Sequence, residues 1–337
     1  MRIAQIATLA SPVGPETAGM GSVEGLVWTL TEHLVSRGHE VTVFGAAGSS
    51  VAGKLVATLP GPYGTAGSPD DWQLCEWINL CEAVKRSKQF DVLHSHAYLW
   101  GMPLEQLSTA PMVHSLHVWP YADSAALWRA HPRACVTALS AAQWSEYPEM
   151  APTVVPHGVE PSSFPPRSSS ENYACYLGRF IPEKGPLEAI KAARSAGVRL
   201  LMAGPRNQFF SSQVAPFVDG HDVEYVGTVT GRERAELLGS AGVLLAPFQA
   251  PEPFCLVLIE AMMCGTPVVA TALGAATEII EPAVTGYCAP SKQRLPELIH
   301  AALGLDRSAV RKQAEVRFSA TRMVNDYLAL YRQIVAQ

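Results

Sequence analysis

No apolar run in this chain reaches the roughly 18 residues that a membrane span requires. There is no C-x-x-C pair and no Asp-x-Asp, since Asp70 and Asp71 are adjacent. The first three absences argue against a transmembrane segment, a zinc or redox dithiol centre and a carboxylate-held metal-diphosphate site. Charge is sparse too, at 16% of residues, and the formal net charge is -5. That balance gives no electrostatic basis for a nucleic-acid partner. The seven cysteines are scattered and odd in number, which fits reduced thiols better than a disulfide framework. Residues 1–7 look like a first strand, with no long apolar region and no cleavage site. A cytoplasmic protein is expected, with surface attachment to a membrane left open.

What is present is apolar and regular. Hydrophobic residues make up 48% of 337 residues, enough for two globular domains with separate cores. Residues 1–170 carry 9 Lys+Arg against 14 Asp+Glu, whereas residues 171–337 carry 16 of each. An anionic ligand therefore meets less repulsion from the second half. Short β-rich runs occupy 3–9, 41–44, 92–94, 112–116, 135–138 and 153–155, then 174–177, 200–203, 223–226, 243–246 and 267–270. Helical periodicity fills 23–37, 74–87, 187–196, 232–240 and 256–264. Alternation of this kind predicts α/β architecture with parallel sheets covered on both faces. The Pro- and Ser-rich stretch 156–172 reads as a linker, after which the pattern restarts. The expected fold is two Rossmann-like, doubly wound domains facing a central cleft, with ligands at the C-terminal strand ends. By periodicity alone the last helix, 323–335, can pack on either domain.

Three segments can carry chemistry. The first loop, 12–24, holds Gly14, Gly19 and Gly21 and leads into a helix near Ser22; its spacing is not G-x-G-x-x-G. It fits a simple loop with an N-cap or an anion-binding helix start equally well. The second segment is Leu177-Gly178-Arg179-Phe180-Ile181-Pro182-Glu183-Lys184-Gly185. Arg179 offers forked contacts to phosphate oxygens and Lys184 a point charge, though loop cations are usually only solvated. The third is Pro251-Glu252-Pro253-Phe254-Cys255-Leu256-Val257-Leu258-Ile259-Glu260. Glu260 is the one charge in a helix apolar all round, so it must be paired, hydrogen-bonded or protonated. Ribose hydroxyls would satisfy it; a buried ion pair is the plainer role. Amides of Cys255, Leu256 and Val257 at the helix start suit a phosphate. Glu252 is held stiffly between two prolines and suits sugar hydroxyls.

His94, His96, His114 and His117 end two strands. His94 and His96 alternate on a strand and are expected on opposite faces, which disfavours a shared metal. His117 is the best placed to touch a ligand. Trp119, Tyr121 and Trp128 follow it as an aromatic wall or as core.

Together these residues resemble the family-4-type retaining glycosyltransferases of the GT-B fold. Glu252-x7-Glu260, followed by Ala261, Cys264-Gly265-Thr266-Pro267 and Val268-Val269-Ala270, is similar to that family's E-x7-E signature. Leu177–Gly185 is similar to its donor-phosphate loop. Asp91–His96, Val155–Val159 and Gly274–Ile279 fall in the family's order. The resemblance implies a GT-B fold with an acceptor-side domain over 1–158, a donor domain over 159–320 and a C-terminal helix, 321–337, packed back on the first. It implies that Glu260 holds the nucleotide ribose, that Arg179 and Lys184 bind the diphosphate beside Gly178, and that Glu252 contacts the transferred sugar. Backbone amides of Phe254, Cys255 and Leu256 would assist, and His117 would contact the sugar. Gly21 and Ser22 stand where the family has two glycines, and His157 and Glu160 where it has Asn and Asp. The implied activity is metal-independent, retaining hexosyl transfer from a nucleoside-diphosphate sugar, UDP-linked by preference. The acceptor would be a small-molecule, lipid or glycan hydroxyl, and no cofactor is implied. A catalytically silent partner subunit and a nucleotide-sugar epimerase of the same fold are the alternatives. An NAD-dependent oxidoreductase is disfavoured by the missing fingerprint.

Overall fold

A computed structural model describes residues 1–17 and 23–337; Gly21 and Ser22 lie outside the described residues. The chain divides into two compact units, Met1–His157 with Ala320–Gln337, and Gly158–Ser319. Both are three-layer α/β units built on a parallel sheet.

Unit 1 runs β1 (Arg2–Ile6), α1 (Val23–Ser36), β2 (Glu40–Ala46), β3 (Lys54–Leu59), α2 (Trp72–Lys85), β4 (Val92–Ser95), β5 (Met112–Ser115), α3 (Ala122–Ala130), β6 (Cys135–Ala138) and β7 (Thr153–Val154). Its strand order is β3-β2-β1-β4-β5-β6-β7. Unit 2 runs β8 (Tyr173–Leu177), α4 (Pro186–Ala196), β9 (Arg199–Ala203), β10 (Val223–Gly227), α5 (Gly231–Ser240), β11 (Val243–Ala246), α6 (Leu256–Met263), β12 (Val268–Thr271), α7 (Ala276–Ile279), β13 (Gly286–Ala289), α8 (Leu295–Leu303) and α9 (Arg307–Phe318). Its order is β10-β9-β8-β11-β12-β13. The order reverses between β1 and β4 in one sheet and between β8 and β11 in the other. At such a switch point the neighbouring crossovers lie on opposite faces and leave a crevice at the C-terminal strand ends.

The central strands are buried on both faces, as their near-continuous apolar composition requires. The last helix, α10 (Ala320–Val335), places Met323, Val324, Tyr327, Leu328 and Tyr331 on one stripe. That stripe packs into the first sheet's core beside Leu30, Leu34 and Val113. Two strands escape the sequence reading. β3 is an edge strand, mostly half-exposed, and β13 is only four residues long, so neither gives an apolar run. The helices α3, α8 and α9 were not expected either.

Candidate functional site

In unit 2 the reversal point is lined by the ends of β8 and β11. β8 ends on Gly178, where the backbone of Gly204 presses so close that a Cβ on Gly204 would stand 2.0 Å from the Gly178 carbonyl oxygen. Arg179 follows and is exposed. The chain then makes a single turn, Pro182–Lys184, ended by Gly185 in the left-handed region, with φ 68°. A Cβ there would lie 2.0 Å from the carbonyl oxygen of Pro247, so only glycine lets this turn seat against the end of β11. The seat is fastened by the Gln249 amide, which donates to the Glu183 carbonyl at 2.8 Å. Pro186 at the first helical position then starts α4.

This seating brings Lys184 to Glu252: Nζ lies 2.8 Å from Oε2, and both side chains are largely buried. The Lys184 ammonium also lies 5.4 Å from the Phe248 ring centroid. Burial pulls the Lys184 pKa down, but the Cys255 sulfur, which ionises only at high pH, and the Glu252 carboxylate outweigh it and the net shift is upward. Lysine is therefore a firm cation here. Glu252 is fixed from behind by Gly274, where a Cβ would meet its backbone nitrogen at 2.5 Å, and by the Ala275 amide, which donates to its carbonyl at 2.9 Å.

The chain reaches α6 through Cys255, a non-glycine residue with φ 76°. Such strain at a helix start is a local cost of about 1–3 kcal/mol that neighbouring packing must offset. Burial pushes the Cys255 thiol up to about 11, opposed by the Lys184 charge, so it is a neutral thiol. The Phe254 side chain is in the core, edge-on to Phe318 at 6.0 Å, so only its backbone can face a ligand.

Glu260 is completely buried on α6. Its Oε2 accepts from Nε of Arg234 on α5 at 2.8 Å and also from Nη2. The plainer role, an ion pair, is thus present. Yet Oε1 has no partner. A buried carboxylate oxygen without a donor is costly. Burial raises the Glu260 pKa, and the Arg234 charge pulls against it. Arg234 was not anticipated, because a partner 26 residues away leaves no local signal.

Unit 1 carries the histidines. His94 and His96 do not face opposite ways, contrary to expectation: their ring centroids are 4.0 Å apart. Residues two apart on a strand share a face, so alternation itself brings the two rings together and the expectation of opposite faces misapplied it. His114 turns instead to Glu105, at 2.9 Å. The remaining rings form a directed chain. His96 Nε2 lies 2.9 Å from Oε1 of Gln5, an oxygen that can only accept, so Nε2 carries the hydrogen. His96 Nδ1 must then accept from His117 Nε2, at 3.0 Å. His117 is left with Nδ1 as a bare, buried acceptor without a partner. Burial lowers its pKa to about 4, so the ring is neutral. The chain continues from Gln5 Nε2 to the Tyr331 hydroxyl at 3.2 Å, to His94 Nδ1 at 2.6 Å, and from His94 Nε2 to Ser115 Oγ at 2.7 Å. Trp119, Tyr121 and Trp128 build no wall. Trp128 is buried edge-on to Trp144, Trp119 is tied to Glu146, and Tyr121 is 70% exposed. Among the described residues no group of three or more His, Cys, Asp or Glu could hold a metal ion, and no helix is long and apolar enough to cross a membrane.

Residues 161–316 match the family model described as glycosyl transferases group 1, and residues 23–163 match glycosyltransferase family 4. The D-inositol 3-phosphate glycosyltransferase of Mycobacterium tuberculosis is 24% identical over an alignment covering 100% of this chain and 84% of that protein. Among solved structures, AviGT4, a glycosyltransferase involved in avilamycin A biosynthesis, is 25% identical, with a TM-score of 0.76 and coverage of 100% and 98%. Anabaena HepE in complex with UDP-glucose has the same fold at 17% identity, with a TM-score of 0.72 and coverage of 99% and 100%.

Proposed function

The chain belongs to the family-4-type glycosyltransferases of the GT-B fold, and from that premise we propose that it transfers a hexosyl group from a UDP-sugar to an acceptor hydroxyl, with retention and without a metal. The observation that carries the donor assignment is the clustering, on unit 2 alone, of a firm cation, a rigid carboxylate, a helix start and a buried carboxylate with one unused oxygen.

Each part has a matching ligand group. The unused Oε1 of Glu260 accepts from the ribose hydroxyls. Lys184, Arg179 and the open amides at the start of α6 neutralise the diphosphate, whose charge grows as the bond to the anomeric carbon breaks. Glu252 accepts from hydroxyls of the transferred sugar, and its contact with Lys184 holds both groups in place before donor arrives. His117 offers a lone pair, and so reads a hydroxyl as a donor. In the reaction the carbon–phosphate oxygen bond breaks and a bond to the acceptor oxygen forms. The acceptor's proton passes to the leaving diphosphate, so no enzymic nucleophile is needed. Binding of UDP by Anabaena HepE, a protein of the same fold, supports the choice of nucleotide.

A thermal-shift panel of UDP, GDP and ADP tests the donor assignment. At 100 times its Kd, UDP should stabilise the chain by about 2.7 kcal/mol, a rise of a few degrees. Equal shifts with all three, or none, would remove the nucleotide from the proposal.

A further inference from the structure

A second cluster lies at the C-terminal strand ends of unit 1. Two successive amides of the loop after β1 each reach a buried carboxylate. Leu9 N donates to Glu76 Oε1 at 2.8 Å, and Ala10 N donates to Glu24 Oε1 at 3.2 Å. Thr8 Oγ1 adds a second bond to Glu24, at 2.8 Å. Glu76 is 1% exposed, and its Oε2 has no partner among the described residues. Burial raises the Glu76 pKa to about 7, with the Glu24 charge adding to the effect.

Trp72, one helical turn before Glu76 on α2, belongs to a cluster of four aromatic rings delivered by three segments. Tyr63 follows β3, and its amide is tied to the Leu9 carbonyl at 3.1 Å. Trp72 opens α2 and is 37% exposed. Tyr98 and Trp100 follow β4 and stack at 4.8 Å. Trp72 lies 5.7 Å from Tyr98, 5.4 Å from Trp100 and 6.3 Å from Tyr63. Tyr98 has φ 52°, an unusual conformation for an aromatic residue and one that points to a functional constraint. Burial and then the Glu76 charge raise the pKa of both Tyr63 and Tyr98.

The charge around the cluster has one sign. The described segments that follow β1 to β6 at this end, 7–17, 47–53, 60–71, 96–111, 116–121 and 139–152, contain no Lys or Arg at all. Arg322, near His157, is held by Asp326 and by the carbonyls of Pro156 and His157, each at 2.8 Å. Those segments offer an anion no cationic side chain, whereas aromatic rings and a carboxylate suit a ring with apolar C–H faces and donor hydroxyls.

We propose that this cluster is the acceptor subsite, in which Trp72 and Tyr98 carry the face of an uncharged sugar or cyclic polyol while Glu76 Oε2 accepts one of its hydroxyl protons, and that phosphorylated acceptors are rejected. The proposal rests on the transferase reading, and it separates this chain from a relative named for a phosphorylated inositol.

The test is a tryptophan-fluorescence titration of the full chain. The probes are the methyl glycosides of glucose, galactose and mannose and inositol, against the 6-phosphates of the three sugars and inositol 3-phosphate. At least one neutral probe should give a saturable change, with its phosphorylated counterpart at least tenfold weaker. Trp72→Ala and Glu76→Gln should each weaken the neutral probe by about tenfold or more. Glutamine keeps an acceptor for the Leu9 amide, and circular dichroism confirms that both variants fold. Tighter binding of the phosphates, wild-type affinity in both variants, or no response to any neutral probe overturns the subsite. UDP titrated into the same proteins should bind all of them alike. Failure of UDP binding throughout would sink the donor reading while leaving the sugar-binding result to stand on its own.

Discussion

Replacing Glu260 by Gln separates the two roles that its two oxygens have. Oε2 is bound by Arg234, and Oε1 is buried without a donor. In Glu260→Gln the amide oxygen still accepts from Arg234, but an NH2 group stands where Oε1 was and faces ribose hydroxyls donor to donor. One or two hydrogen bonds to a charged acceptor are lost, about 2–4 kcal/mol, so UDP affinity should fall by about 30- to 700-fold. Stability should fall far less. The pair is weakened rather than broken, and the burial that raises the Glu260 pKa no longer acts on a charge; about 1–2 kcal/mol is expected, against about 3–5 for full loss of a buried partner. The assay is isothermal titration with UDP and with 2′,3′-dideoxy-UDP. Wild type should discriminate strongly between them, and Glu260→Gln should not, which is the coupling a double-mutant cycle reads. If the variant binds UDP as tightly as wild type and only melts earlier, Glu260 is merely the partner of Arg234 and the ribose assignment is wrong.

Lys184→Met keeps the apolar stem against Phe248 and removes the charge; kcat/KM for transfer should fall about 100- to 1000-fold with unchanged circular dichroism, and turnover within fivefold of wild type would exclude a role at the diphosphate. Gly185→Ala forces a Cβ to within 2.0 Å of the Pro247 oxygen at φ 68°, so urea unfolding should show a loss of about 2–4 kcal/mol together with weaker UDP binding; an unchanged midpoint would show that the turn is not seated as described. Glu76 supplies a pH test. Its folded pKa of about 7 lies above the ordinary 4.5, so the folded state binds more protons between those values. Its contribution is full below about 4.5 and is lost as pH rises through 7. Wild type should therefore lose stability relative to Glu76→Gln between pH 5 and pH 8, by up to about 3 kcal/mol, and a difference in Tm that stays constant with pH would refute the burial of this carboxyl.

Much of the proposed donor site was legible because its residues lie in two short segments. A lone charge in an apolar helix announces Glu260, and flanking prolines announce a stiff Glu252. The sequence did not reveal that Glu252 and Lys184 meet, since that depends on Gly185 letting one turn rest on the end of β11. Arg234 was hidden for a similar reason, coming from another helix. The neighbouring rings of His94 and His96 were legible too, since residues two apart on a strand share a face; the expectation of opposite faces misapplied that rule. The aromatic cluster of unit 1 was invisible because its four rings come from two loops and the start of α2. Glu76 sits in a helix, α2, whose apolar pattern is imperfect enough for one more carboxylate to pass as solvated.

The central claim is tested most directly by incubating the purified chain with UDP-glucose labelled with 13C at the anomeric carbon, together with the neutral acceptor glycosides, and reading the product by NMR. The account predicts one new α-linked anomeric signal per UDP released, dependent on acceptor and abolished in Lys184→Met. A β-linked product, a sugar product formed without acceptor, or an unaltered donor with every UDP-sugar and acceptor tried would contradict it.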